Sequence, residues 1–372
     1  MVLLPTTVVG SYSVPEWLER LKTEYYQRRI SARHLTEIHD VAIKAAVKDQ
    51  ELAGIDIVSD GELRRDNDVD YFLARIPGVH IPQRAKTDYF DYYDAEVTRP
   101  LPEGPLTSTD TGTGSGPEGP IPEGPIPGPG LGLADDFRFT RQLTDRPVKF
   151  SFTGPFSLSR RIRDGAYEQP GDLVRALARR LNAEARTLAA AGADFLQIDE
   201  PFLAGYPDQV ELAVEAVNIV TENIDATWAL HVCYGNRYAR PSWEGHYDFL
   251  FPAVKTARVD QIVLEFARKG LDDLRLIRQH GWDRWLGFGV IDVKSPEVET
   301  PELVAERIRR ALEYVPADRL MINPDCGLRH LPPEVARRKL RAMVAGVAAV
   351  RAELVPTESQ APATVPAEGG TT

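Results

Sequence analysis

Short apolar runs alternate with longer amphipathic stretches along most of this chain. LLPTTVVGS, residues 3–11, is rich in β-branched residues and ends in a glycine turn, the pattern of a strand. Pro15 opens the charged stretch PEWLERLKTEYYQRR, with proline at the first helical position. Residues 37–54, EIHDVAIKAAVKDQELAG, repeat their apolar positions at helical spacing and stop at Gly54. The next strand, IDIVSDGE, passes from apolar residues to Asp60, Gly61 and Glu62. Six more strands follow: VKFSFTGP, FLQIDEP, WALHVCYG, QIVLEF, LGFGVID and LMINPDCG. Amphipathic helices such as GDLVRALARRLNAEARTLAAAG and TPELVAERIRRALEYV separate most of them, and a looser segment runs to Ala257 after WALHVCYG. Eight strands, most followed by a helix, predict an α/β fold of the (β/α)8 TIM-barrel type. A doubly wound sheet is disfavoured, because no Gly-x-Gly-x-x-Gly loop follows the first strand.

Two stretches fall outside this rhythm. Residues 100–133 are dominated by proline, glycine, serine and threonine, too little apolar surface to offset the entropy of ordering them. The alternation resumes unchanged afterwards, so the stretch reads as a mobile insertion between the second and third strands of one barrel, residues 1–355. From Pro356 the tail is low in complexity and reads as disordered.

Composition narrows the partners. The chain is 43% apolar and 27% charged, as in a soluble globular protein. A net charge of −11 argues against nucleic acid and anionic membranes, which both require a basic face. No apolar run is long enough to span a membrane, and the N-terminus lacks the basic start and cleavage site of a leader. Two cysteines in 372 residues make no disulfide framework, and a reducing cytoplasm is the expected location. Homo-oligomerisation is left open.

The chemistry-bearing residues sit where a barrel keeps its active site, at the C-terminal ends of strands. Ser11 ends the first strand, Glu62 follows the second, and Asp199 and Glu200 end the fourth. His231 and Cys233 end the fifth, Glu265 the sixth, Asp292 the seventh and Cys326 the eighth. On a strand, residues two apart point to one face, so His231 and Cys233 stand side by side like two ligands of one zinc ion. Taken singly, each residue has a plainer reading: a small core cysteine, a hydrogen-bonded histidine, a helix-capping aspartate, or Glu265 paired with Arg268 or Lys269. Both cysteines, one histidine and one glutamate at barrel strand ends together point to a metal site of His231, Cys233, Glu265 and Cys326.

The stretches TTVVGS, SDGELRRDNDVDYF, QIDEP, HVCYGN, LEF, GVIDVKSP and NPDCGL carry a specific resemblance. In order and spacing they are similar to the catalytic, C-terminal half of cobalamin-independent methionine synthase. The resemblance implies zinc on His231, Cys233, Glu265 and Cys326, a homocysteine ammonium on Glu62 and Asp199, and its carboxylate at Ser11. It implies a zinc-dependent S-methyltransferase that makes methionine from homocysteine and a methyl donor, a methylfolate or another. Two carboxylates near the metal would repel each other without such a cation between them.

Two departures concern the donor. Asp292-Val293-Lys294-Ser295-Pro296 stands where the family usually reads Asp-Ile-His-Ser-Pro, so Lys294 replaces the histidine thought to protonate the leaving folate nitrogen. The N-terminal half of the long enzymes has no counterpart. The short branch also resembles epoxyalkane:coenzyme M transferases, whose thiol carries a sulfonate and no ammonium. Arg64, Arg65 and the arginines between 160 and 163 would serve a sulfonate, whereas Glu62 and Asp199 suit an amino-acid thiol. A non-catalytic zinc protein is a third reading, but structural sites draw closely spaced ligands from one loop.

Overall fold

The computed structural model describes residues 2–65, 69–77, 79, 114–115, 130–163, 167, 169, 171–236 and 239–355. Six parallel strands pair in chain order: Phe150–Thr153, Phe195–Asp199, Thr227–Val232, Gln261–Leu264, Trp285–Ile291 and Leu320–Pro324. The gap between the last and the first is closed by two extended segments. Thr6 bridges Ile322, Thr7 bridges Ile57, and Val58 bridges Val148, all in parallel. The ring therefore has eight staves and no free edge, a closed (β/α)8 barrel.

The first two expected strands are reduced to these bridges, and local side-chain bonding explains why. The Thr6 N–H and hydroxyl both donate to Asp56 Oδ2 at 2.8 Å, and the Thr6 hydroxyl in turn accepts from the Asp56 N–H at 2.9 Å. Those bonds occupy groups that a regular ladder would use.

Packing follows the apolar pattern. The inward faces of the staves carry a small cluster of Val9, Ile57, Phe195, Ala229, Val263 and Met321, with Trp285 half-buried against it. The outward faces pack on helices that include Asp172–Ala190, Val210–Val220, Pro301–Leu312 and Pro333–Leu354. The second helix runs Ala32–Ala53, five residues earlier than the periodicity predicts. Its first turn is exposed and carries no apolar repeat, so its start is marked only by Ser31, whose side chain accepts from the His34 N–H at 3.2 Å. Its end is Gly54 at φ +90°, as expected.

Three further differences bear on the site. The looser segment before Ala257 contains two short 3-10 turns, Tyr247–Leu250 and Ala253–Thr256. Helix Leu133–Arg141 begins where the Pro/Gly stretch was expected to end, and Leu131 and Leu133 are buried, so the packed chain resumes by residue 131. Within that stretch, Gly114–Ser115 pairs in parallel with Ile162–Arg163. The rest of the expected insertion and the tail from Pro356 lie outside the described residues.

Candidate metal centre

The alternation of the fifth stave turns His231 and Cys233 to the same inward face, and the turn after the eighth stave brings Cys326 to them. All three are buried, and their donor atoms lie within 4.8 Å of one another. The two sulfurs are 3.7 Å apart, far beyond a disulfide bond. His231 Nδ1 is 2.8 Å from Asp199 Oδ1, which leaves Nε2 for the thiols, and Nε2 is buried with no hydrogen-bond partner. Asp199 Oδ1 also accepts from Gln197 Nε2 at 2.7 Å, so it meets His231 as an acceptor and places the ring proton on Nδ1. Burial alone would lower the proton affinity of His231, but Asp199 and Cys326 beside it raise its pKa to about 10. The Cys326 thiol is pushed well above its usual range, first by the bond to Cys233 and then by burial. For both to ionise this close together, the two thiols need a cation between them. The orphaned Nε2 and the paired thiols therefore fit a metal ion.

Glu265, the fourth expected ligand, stands outside that three-residue group. Its Oε1 accepts from Lys294 Nζ at 2.6 Å, and its Oε2 is buried without a partner. The Glu265 and Lys294 side chains are only 0% and 3% exposed, so this is a buried ion pair. Burial lowers the ammonium's pKa, but Glu265 and the two cysteines outweigh it and hold Lys294 charged. Neither Arg268 nor Lys269 takes the glutamate: Arg268 pairs with Glu244, and the Lys269 ammonium lies over the Tyr234 ring.

The backbone around Glu265 is fixed from two sides. The Tyr247 hydroxyl accepts from the Glu265 N–H at 3.0 Å and donates to the Val232 carbonyl at 2.9 Å, tying the sixth stave to the fifth. Buried Asp325, next to Cys326, accepts from the N–H groups of Phe266, Ala267 and Arg268 at 2.8–2.9 Å. Asp292 accepts from the Lys294 N–H at 2.8 Å and so shapes the turn that carries the ammonium inward.

Of the expected substrate-binding residues, Asp199 bonds a metal donor directly and Ser11 packs on the residue after Cys326. Glu62 has φ +57°, a left-handed conformation that costs a non-glycine residue about 1–2 kcal/mol. Asp60 holds that turn by accepting from the Glu62 N–H at 2.9 Å. The Glu62 carboxylate accepts from Ser151 Oγ at 2.5 Å and pairs with buried Arg65 at 2.8 Å. Ser11 packs so tightly on Gly327 that a Cβ there would collide with its hydroxyl oxygen. The repulsion expected between Glu62 and Asp199 is eased within the protein. Buried Lys149 donates to Gln197 Oε1 at 2.6 Å, and both carboxylates favour its charge, although burial brings its pKa down to about 7. Glu200, beside Asp199, is turned away from the metal donors. It accepts from the N–H groups of Phe156 and Ser157 at 3.1 and 2.7 Å and caps helix Pro155–Ser159.

Sequence reasoning missed Tyr247, Asp325, Gln197 and Lys149. Asp325 had a signal, since it is a charge beside a candidate ligand at a strand end. Gln197 and Lys149 also had one, as polar residues at inward positions of apolar strands. Tyr247 had none, because it sits in a segment without periodicity.

The chain matches the family described as cobalamin-independent synthase, catalytic domain, over residues 4–103 and 134–349, the two parts flanking the Pro/Gly stretch. It is 34% identical to a methionine synthase of Sulfurisphaera tokodaii over 360 residues, 95% of this chain and 94% of that one. It is 35% identical to a methionine synthase of Saccharolobus solfataricus, with 95% and 96% covered. A solved B12-independent methionine synthase from Shewanella sp. W3-18-1, in complex with selenomethionine, superposes with a TM-score of 0.77 at 28% identity. That alignment covers 95% of this chain and 99% of the other. Fold, strand-end donors and these matches over nearly its whole length agree: the chain belongs to the cobalamin-independent methionine synthase family and spans its catalytic domain.

Proposed function

We propose that this protein is a zinc-dependent S-methyltransferase that makes methionine from homocysteine. The observation that carries the reading is the buried His231, Cys233 and Cys326 donor group, with the Asp199 carboxylate hydrogen-bonded to its histidine. Two sulfurs bonded to one tetrahedral zinc at about 2.3 Å stand about 3.8 Å apart. The 3.7 Å between Cys233 and Cys326 fits that ion. Bound there, zinc supplies an electron-rich substrate thiolate at neutral pH, where a free thiol with a pKa of about 8.5 is mostly protonated.

The protein's own residues do the rest. Asp199 holds the His231 ring with its proton on Nδ1 and Nε2 turned to the metal. Glu62 and Asp199 offer carboxylate oxygens to the substrate ammonium, and Ser11 takes the substrate carboxylate. Glu265 completes the ligand set, and Asp292 and Lys294 shape the side from which the methyl donor arrives. A methylfolate is the first candidate donor, and the cytoplasm is the natural site of such chemistry.

The epoxide reading has less support. A sulfonate would face Glu62 and Asp199 with no ammonium to offer, and four of the arginines it would use are engaged. Arg64 pairs with Asp40 and Asp136, Arg65 with Glu62, and Arg161 with Asp70, while Arg160 lies over the rings of Phe156 and Tyr206. The selenomethionine of the Shewanella structure is an amino-acid ligand of the kind proposed here.

The test is methionine formation from homocysteine by zinc-loaded protein, with methylfolates of short and long glutamate tails and then methylcobalamin. Activity with one donor, lost on chelation and restored by zinc, is the expected result. No methionine from any donor, with alkylation of coenzyme M by an epoxide instead, would overturn the reading.

A further inference from the structure

The buried pair of Lys294 and Glu265 has a consequence for how substrate enters the site. Oε1 of Glu265 is committed to the ammonium at 2.6 Å, so only Oε2 is left for a metal, and it is buried with no hydrogen-bond partner. The backbone that carries this carboxylate is held by Tyr247 and Asp325, so any movement belongs to the side chain alone.

We infer that Lys294 is a positioning residue that makes Glu265 the exchangeable ligand: it receives the carboxylate when the substrate sulfur takes its place. The inference rests on the metal site proposed above.

Charge accounting is the physical argument. Two thiolates, one carboxylate, a neutral imidazole, a divalent ion and one ammonium sum to zero. Were a substrate thiolate to displace Glu265, with the thiol proton passing to the buffer, a divalent metal with three thiolate sulfurs would carry one net negative charge. The Glu265–Lys294 pair stays neutral beside them. Without the ammonium, Glu265 would be stranded as a buried anion next to an anionic centre, and a buried charge without a partner is strongly unfavourable. Lys294 thus makes room for the substrate sulfur while leaving that sulfur its excess charge. It also follows that this ammonium is engaged on the metal side of the site and is not the free equivalent of a proton-donating histidine.

Cobalt substitution makes the exchange visible, because each thiolate on cobalt adds charge-transfer absorbance. In cobalt-loaded protein, homocysteine should raise that absorbance from a two-thiolate to a three-thiolate level. Lys294→Met should load cobalt as tightly as the wild type or more tightly, by chelator competition, yet need about 100-fold more homocysteine for the same change. Lys294→Gln, which keeps a donor without the charge, should resemble Lys294→Met. The double variant Lys294→Met, Glu265→Gln should regain most of the lost affinity, since no anion is left to strand.

Wild-type thiol affinity in Lys294→Met or Lys294→Gln, weaker cobalt binding in Lys294→Met, or no recovery in the double variant would each overturn the inference and leave the metal reading standing. A wild type whose cobalt spectrum does not respond to homocysteine would overturn both.

Discussion

Asp199 shows how much one side chain carries here. Its Oδ1 accepts from His231 Nδ1 and from Gln197 Nε2, and Gln197 in turn accepts from Lys149 and donates to the Val9 carbonyl at 2.8 Å. Each hydrogen bond along this network has one possible direction, because the Val9 carbonyl only accepts and so turns the Gln197 amide nitrogen towards itself and Asp199, leaving the amide oxygen to accept from Lys149. The orientation of Gln197 and the ring proton of His231 are therefore fixed together. Removing the charge of such a carboxylate typically weakens metal binding about 10–100-fold. Asp199→Asn is accordingly expected to lose zinc at lower chelator concentration than the wild type, and to bind homocysteine more weakly still. Unchanged zinc retention by chelator competition would mean that Asp199 does not support the metal-binding histidine.

The helix Ala32–Ala53 carries a pH-dependent weakness apart from the chemistry. His39 is buried on its inner face with no partner for Nε2. Burial first, then the charges of Lys22 and Arg64, bring its pKa down to about 3; Glu19 opposes them and Arg75 adds to them. In the unfolded chain the group titrates near its ordinary value of about 6.5. Between those two values the unfolded chain binds the proton and the folded one refuses it, so stability falls as pH drops from about 6.5 towards 3. His39→Leu should flatten the decline of melting temperature over that range. An unchanged pH slope would show that other groups govern the acid limb. Elements were legible in the sequence to different degrees for reasons visible at this scale. The fifth, sixth and eighth strands end where apolar alternation meets His231 and Cys233, Glu265 or Cys326, so pattern and chemistry mark the same boundary. The first two staves were over-read, because the bonding of Thr6 with Asp56 is invisible to periodicity.

For the whole molecule, a closed barrel gathers residues from widely separated parts of the chain at one mouth, and the sequence revealed which residues gather better than how they pair. The membership of His231, Cys233 and Cys326 followed from strand ends alone. The partnership of Glu265 with Lys294 did not, since the sixth and seventh staves are neighbours only in the folded ring and the lysine's reach inward depends on the Asp292 turn. Among the described residues no helix is long and apolar enough to cross a membrane. The central claim is that this mouth binds an amino-acid thiol through sulfur and ammonium together. Calorimetric titration of the zinc-loaded protein with homocysteine and with coenzyme M tests it most directly. The account predicts saturable homocysteine binding that is lost on zinc removal, with coenzyme M binding far more weakly. Tight binding of coenzyme M with none for homocysteine would contradict it.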